Sequence, residues 1–162
     1  MKIGILQTGH APDVVLEELG DYDAMFARLL DGYGFTFRTW NVVDQDYPDT
    51  PSDADGWLIT GSKHGAYEDH PWIPPLETFI RDVYSDGRPL VGVCFGHQII
   101  AQALGGTVEK FSGGWAVGRT TYEQIVDRIG SPLPDRTNMV LTSKNLTLPE
   151  GATTASDVDS AL

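Results

Sequence analysis

Apolar positions in this chain come alternately as short continuous runs and as stretches spaced three or four residues apart. Residues 2–7 form an apolar run that ends in Thr8-Gly9-His10, a strand followed by a loop. Over residues 14–30, Val15, Leu16, Leu19, Met25, Phe26, Leu29 and Leu30 return near helical spacing. Gly20 interrupts that helix, and Gly32 and Gly34 stop it. Residues 35–42 are β-rich, residues 44–55 a Pro- and Asp-rich loop. Residues 56–60 read as a buried strand ending in Gly61-Ser62. Leu76, Phe79, Ile80 and Val83 share one face and predict a helix over 74–84, with Pro74 and Pro75 in its first turn, where a missing N–H is tolerated. A turn at Asp86-Gly87-Arg88-Pro89 leads to a short strand over 90–93. A helix over 96–104 follows, closed by Gly105-Gly106. Further strands are expected at 107–110, 118–125 and 138–142, with a turn at 132–135. The last dozen residues carry little apolar pattern.

Strand and helix alternate, which implies parallel strands joined by crossovers. The expected fold is α/β: an open, doubly wound, mostly parallel sheet with helices on both faces, in one domain spanning residues 1–162. In such sheets chemistry sits at the carboxyl ends of the strands. The loops at 8–10 and 61–64, and Cys94 itself, meet that condition.

Charge and composition narrow the functions. The net charge of -12 repels nucleic acid and anionic membrane surfaces, so neither is expected as a partner. No apolar stretch approaches the ~18 residues of a membrane span. The N-terminal run lacks the apolar core and cleavage site of a signal peptide, which points to the cytoplasm. Asp44, Asp46, Asp49, Asp53 and Asp55 form a loose acidic cluster, better read as a solvated loop than as a cation site, because no ligand spacing is set by a turn. The single cysteine makes neither an internal disulfide nor a zinc site. No metal or other cofactor is expected.

That cysteine lies in Gly92-Val93-Cys94-Phe95-Gly96, between a predicted strand and a predicted helix. A lone cysteine among apolar residues is ordinarily buried and inert. The flanking glycines reverse that reading. Gly-x-Cys-x-Gly at a strand-to-helix turn is the thiol form of a nucleophile elbow, too tight for side chains at the glycine positions. It lifts the sulfur out of the sheet and faces it with a helix N-terminus, whose partial positive charge suits an attacking anion.

Residues 91–106 (VGVCFGHQIIAQALGG) closely resemble the nucleophile segment of class I, triad-type glutamine amidotransferases. Residues 56–62 (GWLITGS), Tyr67-Glu68-Asp69 and Pro71-Trp72-Ile73 resemble them as well. The stand-alone, GMP-synthase-like domains are the most similar subgroup, and plant γ-glutamyl peptidases look similar too. The resemblance runs from Met1 to about Gly118 and implies a flavodoxin-like sheet. It implies that Cys94 attacks the glutamine side-chain amide, releasing ammonia and then glutamate. It further implies that the backbone N–H groups of Gly61 and Phe95 form the oxyanion hole, and that Gln98 and Ser62 contact the substrate. The implied ligand is glutamine or a γ-glutamyl compound. The implied partner is a synthetase that uses the ammonia, or a second copy of the chain.

Two features depart from the family pattern. The family's general base is a histidine in a His-Pro-Glu motif after the cysteine, oriented by the glutamate. Here histidines stand only at 10, 64, 70 and 97, and no His-Pro-Glu occurs. His97 is expected to pack on its helix or wall a pocket. His10 and His64 are read as surface loop residues, with a pocket role as the alternative, and His70 as surface. Secondly, Leu148-Pro149-Glu150-Gly151-Ala152 survives, but the chain stops where the family's last strands would begin, so a C-terminally shortened or frame-altered domain is expected, and a fragment of a longer protein fits equally. Three functions follow: an impaired glutamine-amide hydrolase, a catalytically inactive binding or regulatory relative, and a γ-glutamyl peptidase-like hydrolase.

Overall fold

A computed structural model describes residues 1–110 and 112, and the backbone of residues 138–141 and 152–155. The chain falls into two compact units, residues 1–112 and residues 113–162.

The first unit is built on four parallel strands: β1 (Lys2–Leu6), β2 (Thr36–Trp40), β3 (Gly56–Ile59) and β4 (Leu90–Gly92), in the order β2-β1-β3-β4. The order reverses at β1. From there the chain goes outward to β2, then returns across to β3 and β4, so β1 and β3 flank the switch point. All four carboxyl ends lie along one edge, which collects the loops after β1, β3 and β4.

Every residue of β3 is buried, as the continuous apolar run Gly56-Trp57-Leu58-Ile59 requires of a central parallel strand. Trp57 dominates the interior, tilted on Trp40 at 5.2 Å and edge-on to Phe79 at 4.8 Å. Burying such a side chain stabilises the fold by roughly 1.5–3 kcal/mol. Gly4 on β1 is its register partner. A methyl group at Gly4 would run into the Trp57 ring, so the small residue there makes room for the large one.

Helix α3 (Ile73–Ser85) presents Leu76, Phe79, Ile80 and Val83 to the core, the face predicted from sequence. Helix α4 (Phe95–Ala103) adds Phe95, Ile99 and Ala103. The helical stretch predicted over 14–30, interrupted at Gly20, forms two helices: α1 (Asp13–Leu19) and α2 (Tyr22–Leu29). Gly20 breaks it at φ +74°, and Asp21 starts the second piece by accepting the Tyr22 N–H. Neither helix buries a residue fully. The strand expected at 107–110 is irregular chain. Among the described residues β4 is an edge strand of the sheet.

In the second unit, β5 (Asn138–Leu141) pairs in parallel with β6 (Ala152–Ala155). The first was expected. The second, in the tail read as patternless, was not. The expected strand at 118–125 and turn at 132–135 lie outside the described residues. No helix of the described residues is long and apolar enough to cross a membrane.

Candidate active site

The turn from β4 into α4 is held by steric fit. Val93 N–H donates to the Ile59 carbonyl at 3.0 Å, which extends the β3–β4 ladder to the turn. Gly96 N–H donates to the Val93 carbonyl at 2.9 Å, and the chain is already helical. A methyl group on Gly92 would collide with the carbonyl of Gly96 and the nitrogen of His97. One on Gly96 would collide with the carbonyl of Ile59. Both glycines are therefore required by backbone approach.

Between them Cys94 adopts φ 54° and ψ -106°, a region that side chains rarely enter. Such a residue costs on the order of 1–3 kcal/mol and persists only where its surroundings force it. Cys94 caps α4 and is exposed. The structure thus places the one thiol of the chain at the carboxyl end of a strand, on a strained turn, open to solvent.

Gly61 follows β3 and lies beside it: a methyl group added to Gly61 would stand 3.7 Å from the Cys94 Cβ. Phe95 is the first residue of α4, and its ring is buried against Trp72 at 5.5 Å. Neither the Gly61 nor the Phe95 N–H donates to a backbone carbonyl among the described residues. Gln98, half-buried, lies in the first turn of α4, and its N–H donates to the Cys94 carbonyl at 3.3 Å. Ser62 continues the Gly61 loop; its Oγ accepts the His64 N–H at 3.2 Å. Gly61, Cys94 and Phe95 are thus brought together, with Ser62 and Gln98 on the same two segments.

The histidines divide. His97 is exposed on α4, so the expected packing role is not what the structure shows. His10, after β1, is clamped between two carboxylates: Nδ1 lies 2.6 Å from Asp21 and Nε2 3.0 Å from Asp44. The Asp21 hydrogen bond, then that of Asp44, hold His10 above its ordinary 6.5. Beneath it, buried Gln7 donates to Asp21 at 2.9 Å and to Asn41 at 3.0 Å, and accepts the Asp23 N–H at 3.0 Å. Asp44 therefore leaves the acidic loop for His10. Asp53 caps its own turn and Asp55 accepts from the Lys2 N–H, so these carboxylates are engaged locally. Sequence reading missed the clamp. Its one local signal was Asp21, the capping residue directly after Gly20. A surface depression of about 470 Å³ beside it is lined by His10, Pro12, Leu16, Tyr22 and Lys63 among others, and does not reach Cys94.

His64 and His70 lie in the loop between β3 and α3, both half-buried, with rings 4.3 Å apart. His70 Nε2 contacts Glu68 at 2.8 Å and His64 Nδ1 lies 3.7 Å from the same carboxylate oxygen. Burial, then the charge of His70, holds His64 below 6.5, and the hydrogen bond from His70 lowers Glu68. Neither histidine is the bare surface residue the sequence suggested.

The elbow agrees with comparisons to known proteins. The family model described as Glutamine amidotransferase class-I matches residues 21–157. A putative glutamine amidotransferase-like protein of Schizosaccharomyces pombe is 35% identical over 136 residues, covering 75% of this chain and 54% of that protein. Gamma-glutamyl peptidase 4 of Arabidopsis thaliana is 36% identical over 93 residues, 56% of this chain and 37% of the other. The glutamine-hydrolyzing GMP synthase of Mycobacterium marinum is 31% identical over 122 residues, 71% of this chain and 22% of the other. The chain spans about half the length, or less, of these relatives.

Proposed function

The chain belongs to the class I glutamine amidotransferase family, and from that premise we propose that Cys94 cleaves a γ-glutamyl amide through a thioester. One observation carries the proposal: an exposed cysteine at φ 54°, held on a strand-to-helix turn by two glycines that tolerate no side chain. The Cys94 thiolate attacks the amide carbon, and the electron pair of the C=O bond moves to oxygen. The N–H groups of Gly61 and Phe95 receive that oxyanion. The C–N bond then breaks and the amine leaves with a proton. Water attacks the thioester, releasing glutamate and restoring the thiol. Ser62 and Gln98 hold the γ-glutamyl group. In the family a histidine of a His-Pro-Glu motif carries the proton; residues 1–162 contain no such motif.

The leaving group separates two forms of this reading. Glutamine gives ammonia, which a synthetase partner would consume, as the likeness to GMP synthase suggests. The likeness to gamma-glutamyl peptidase 4 favours a γ-glutamyl peptide instead. The family match crosses both compact units, which supports one domain over residues 1–162. Val91 on β4, Val93 just after it and Leu104 after α4 are exposed apolar residues that a second copy or a synthetase could cover. A cytoplasmic location fits this chemistry.

Glutamate release from glutamine and from γ-glutamyl dipeptides, measured beside Cys94→Ala, tests the reading. Release that depends on Cys94 is expected, and the faster substrate decides the leaving group. Release that survives the substitution excludes the thioester. A stable adduct with a glutamine-like electrophile and no turnover identifies an inactive binding relative.

A further inference from the structure

We propose that His64, Glu68 and His70 form a binding site for a divalent transition-metal ion, of the zinc and cobalt class. The three come from a single seven-residue stretch, His64-Gly65-Ala66-Tyr67-Glu68-Asp69-His70, between β3 and α3. Their ligand atoms, two imidazole nitrogens and one carboxylate oxygen, all lie within 4.8 Å of one another. Tetrahedral coordination at about 2.0–2.1 Å from the ion places ligand atoms roughly 3.3 Å apart. The two separations to the Glu68 oxygen, 2.8 and 3.7 Å, bracket that value. An ion between the three needs only small side-chain rotations.

The surroundings hold the rings in place. The His70 ring stacks on Trp72 at 5.8 Å with 13° between planes, and His64 meets the same indole edge-on at 5.9 Å. Trp72 is buried, so both imidazoles rest on a fixed wall. The loop backbone is closed on itself: Glu68 N–H donates to Gly65, His70 to Glu68 and Ile73 to His70. Ala66, between the ligands, is buried and its carbonyl accepts from Gln102 of α4 at 2.8 Å. The loop is therefore anchored at both its start and its end.

The donor set decides the ion. Two imidazoles and one carboxylate suit zinc, cobalt, nickel or copper; calcium and magnesium prefer oxygen donors throughout. The side chains keep 24%, 42% and 30% of their surface exposed, for His64, Glu68 and His70 respectively, so the fourth position opens to water. The net charge of -12 favours any cation. Cys94 is not part of the cluster, and the site does not depend on the thioester chemistry.

The full chain, titrated with Co²⁺ and read by its visible absorption, tests this, with Zn²⁺ used for displacement and for calorimetry. One ion per chain is expected, with affinity falling tenfold or more in His70→Gln and in Glu68→Gln. His10→Gln and Cys94→Ser are expected to bind as the parent does. Glu68 is exposed, so Glu68→Gln leaves the fold intact, as circular dichroism would verify. Absence of Co²⁺ binding, affinity unchanged in Glu68→Gln and His70→Gln, or binding lost only with Cys94 would overturn the proposal. In the first case the three residues form only ion pairs.

Discussion

Two loops leave the same edge of the sheet and are built on opposite principles. The loop after β4 is fixed by exclusion. Gly92 and Gly96 leave no space for a methyl group, and Cys94 is forced to φ 54° between them. The loop after β1 is fixed by attraction. Gln7, His10, Asp21, Asn41 and Asp44 exchange hydrogen bonds and charges across as many as thirty-four residues of separation. The first device tolerates almost no substitution but is nearly indifferent to solvent conditions. The second tolerates substitution in part and follows pH and salt. An exposed reactive group gains from the first: its position does not change when the protonation of its neighbours does.

The largest effect should come from the glycines. Gly96→Ala drives a methyl group into the Ile59 carbonyl, and Gly92→Ala drives one into the start of α4. Backbone cannot rotate away as a side chain can, so each should lose on the order of 3 kcal/mol in urea unfolding, at the top of the usual range for overpacking. A loss under about 1 kcal/mol in both would show that the elbow is not sterically determined.

Next comes Gln7→Leu, the equivalent change in the other loop. Leucine fills a similar volume, but the Asp23 N–H and the Asn41 oxygen lose their buried partner. The cost should be about 2 kcal/mol, by the same measurement. A neutral result would mean that water replaces the amide and that the network is ornamental to stability.

A smaller, opposite-signed effect sharpens the reading of the elbow. Cys94→Gly relieves the positive φ, whereas Cys94→Ala keeps the strain. Both remove the thiol, so the glycine variant should be the more stable of the pair by about 1 kcal/mol, net of glycine's greater unfolded-state freedom. Equal stability would argue that the turn carries no stored strain.

The same contrast explains what could be read from sequence. The elbow was legible because its constraint is local: two glycines four residues apart, a strand before and a helix after. Strands β1, β3 and β4 and helix α3 were legible for the same reason, since each buries a pattern carried in its own residues. The clamp around His10 was not, because its members are scattered over residues 7 to 44 and only the β2-β1-β3 order brings them together. The break at Gly20 was legible from the glycine itself, although the apolar spacing continues across it and neither helix proves to bury a residue fully. At His64 and His70 the residues were visible, but their convergence on one carboxylate depends on the turn that the backbone makes between them.

The smallest effect concerns His10, and its sign is fixed by the two groups. Hydrogen bonds to Asp21 and Asp44 raise His10 above 6.5, so its contribution is complete below that value and fades as pH rises through the raised one. Burial pushes Asp21 up, but the hydrogen bonds from His10, Ala11 and Tyr22 outweigh it and bring Asp21 below 3.8. Its contribution is present above 3.8 and fades as pH falls through the lowered value. Both hold together only between about pH 4 and 6.5. The melting temperature of the parent should therefore exceed that of His10→Gln most near pH 5.5, and the gap should shrink as pH rises above 6.5 and through the raised value. Added salt should narrow it as well, because the His10 side chain keeps 42% of its surface exposed. Gly96→Ala offers the control: a steric loss has no proton to release, so its gap should stay flat across the same range. A gap that is equally flat for His10→Gln would erase the distinction between the two loops.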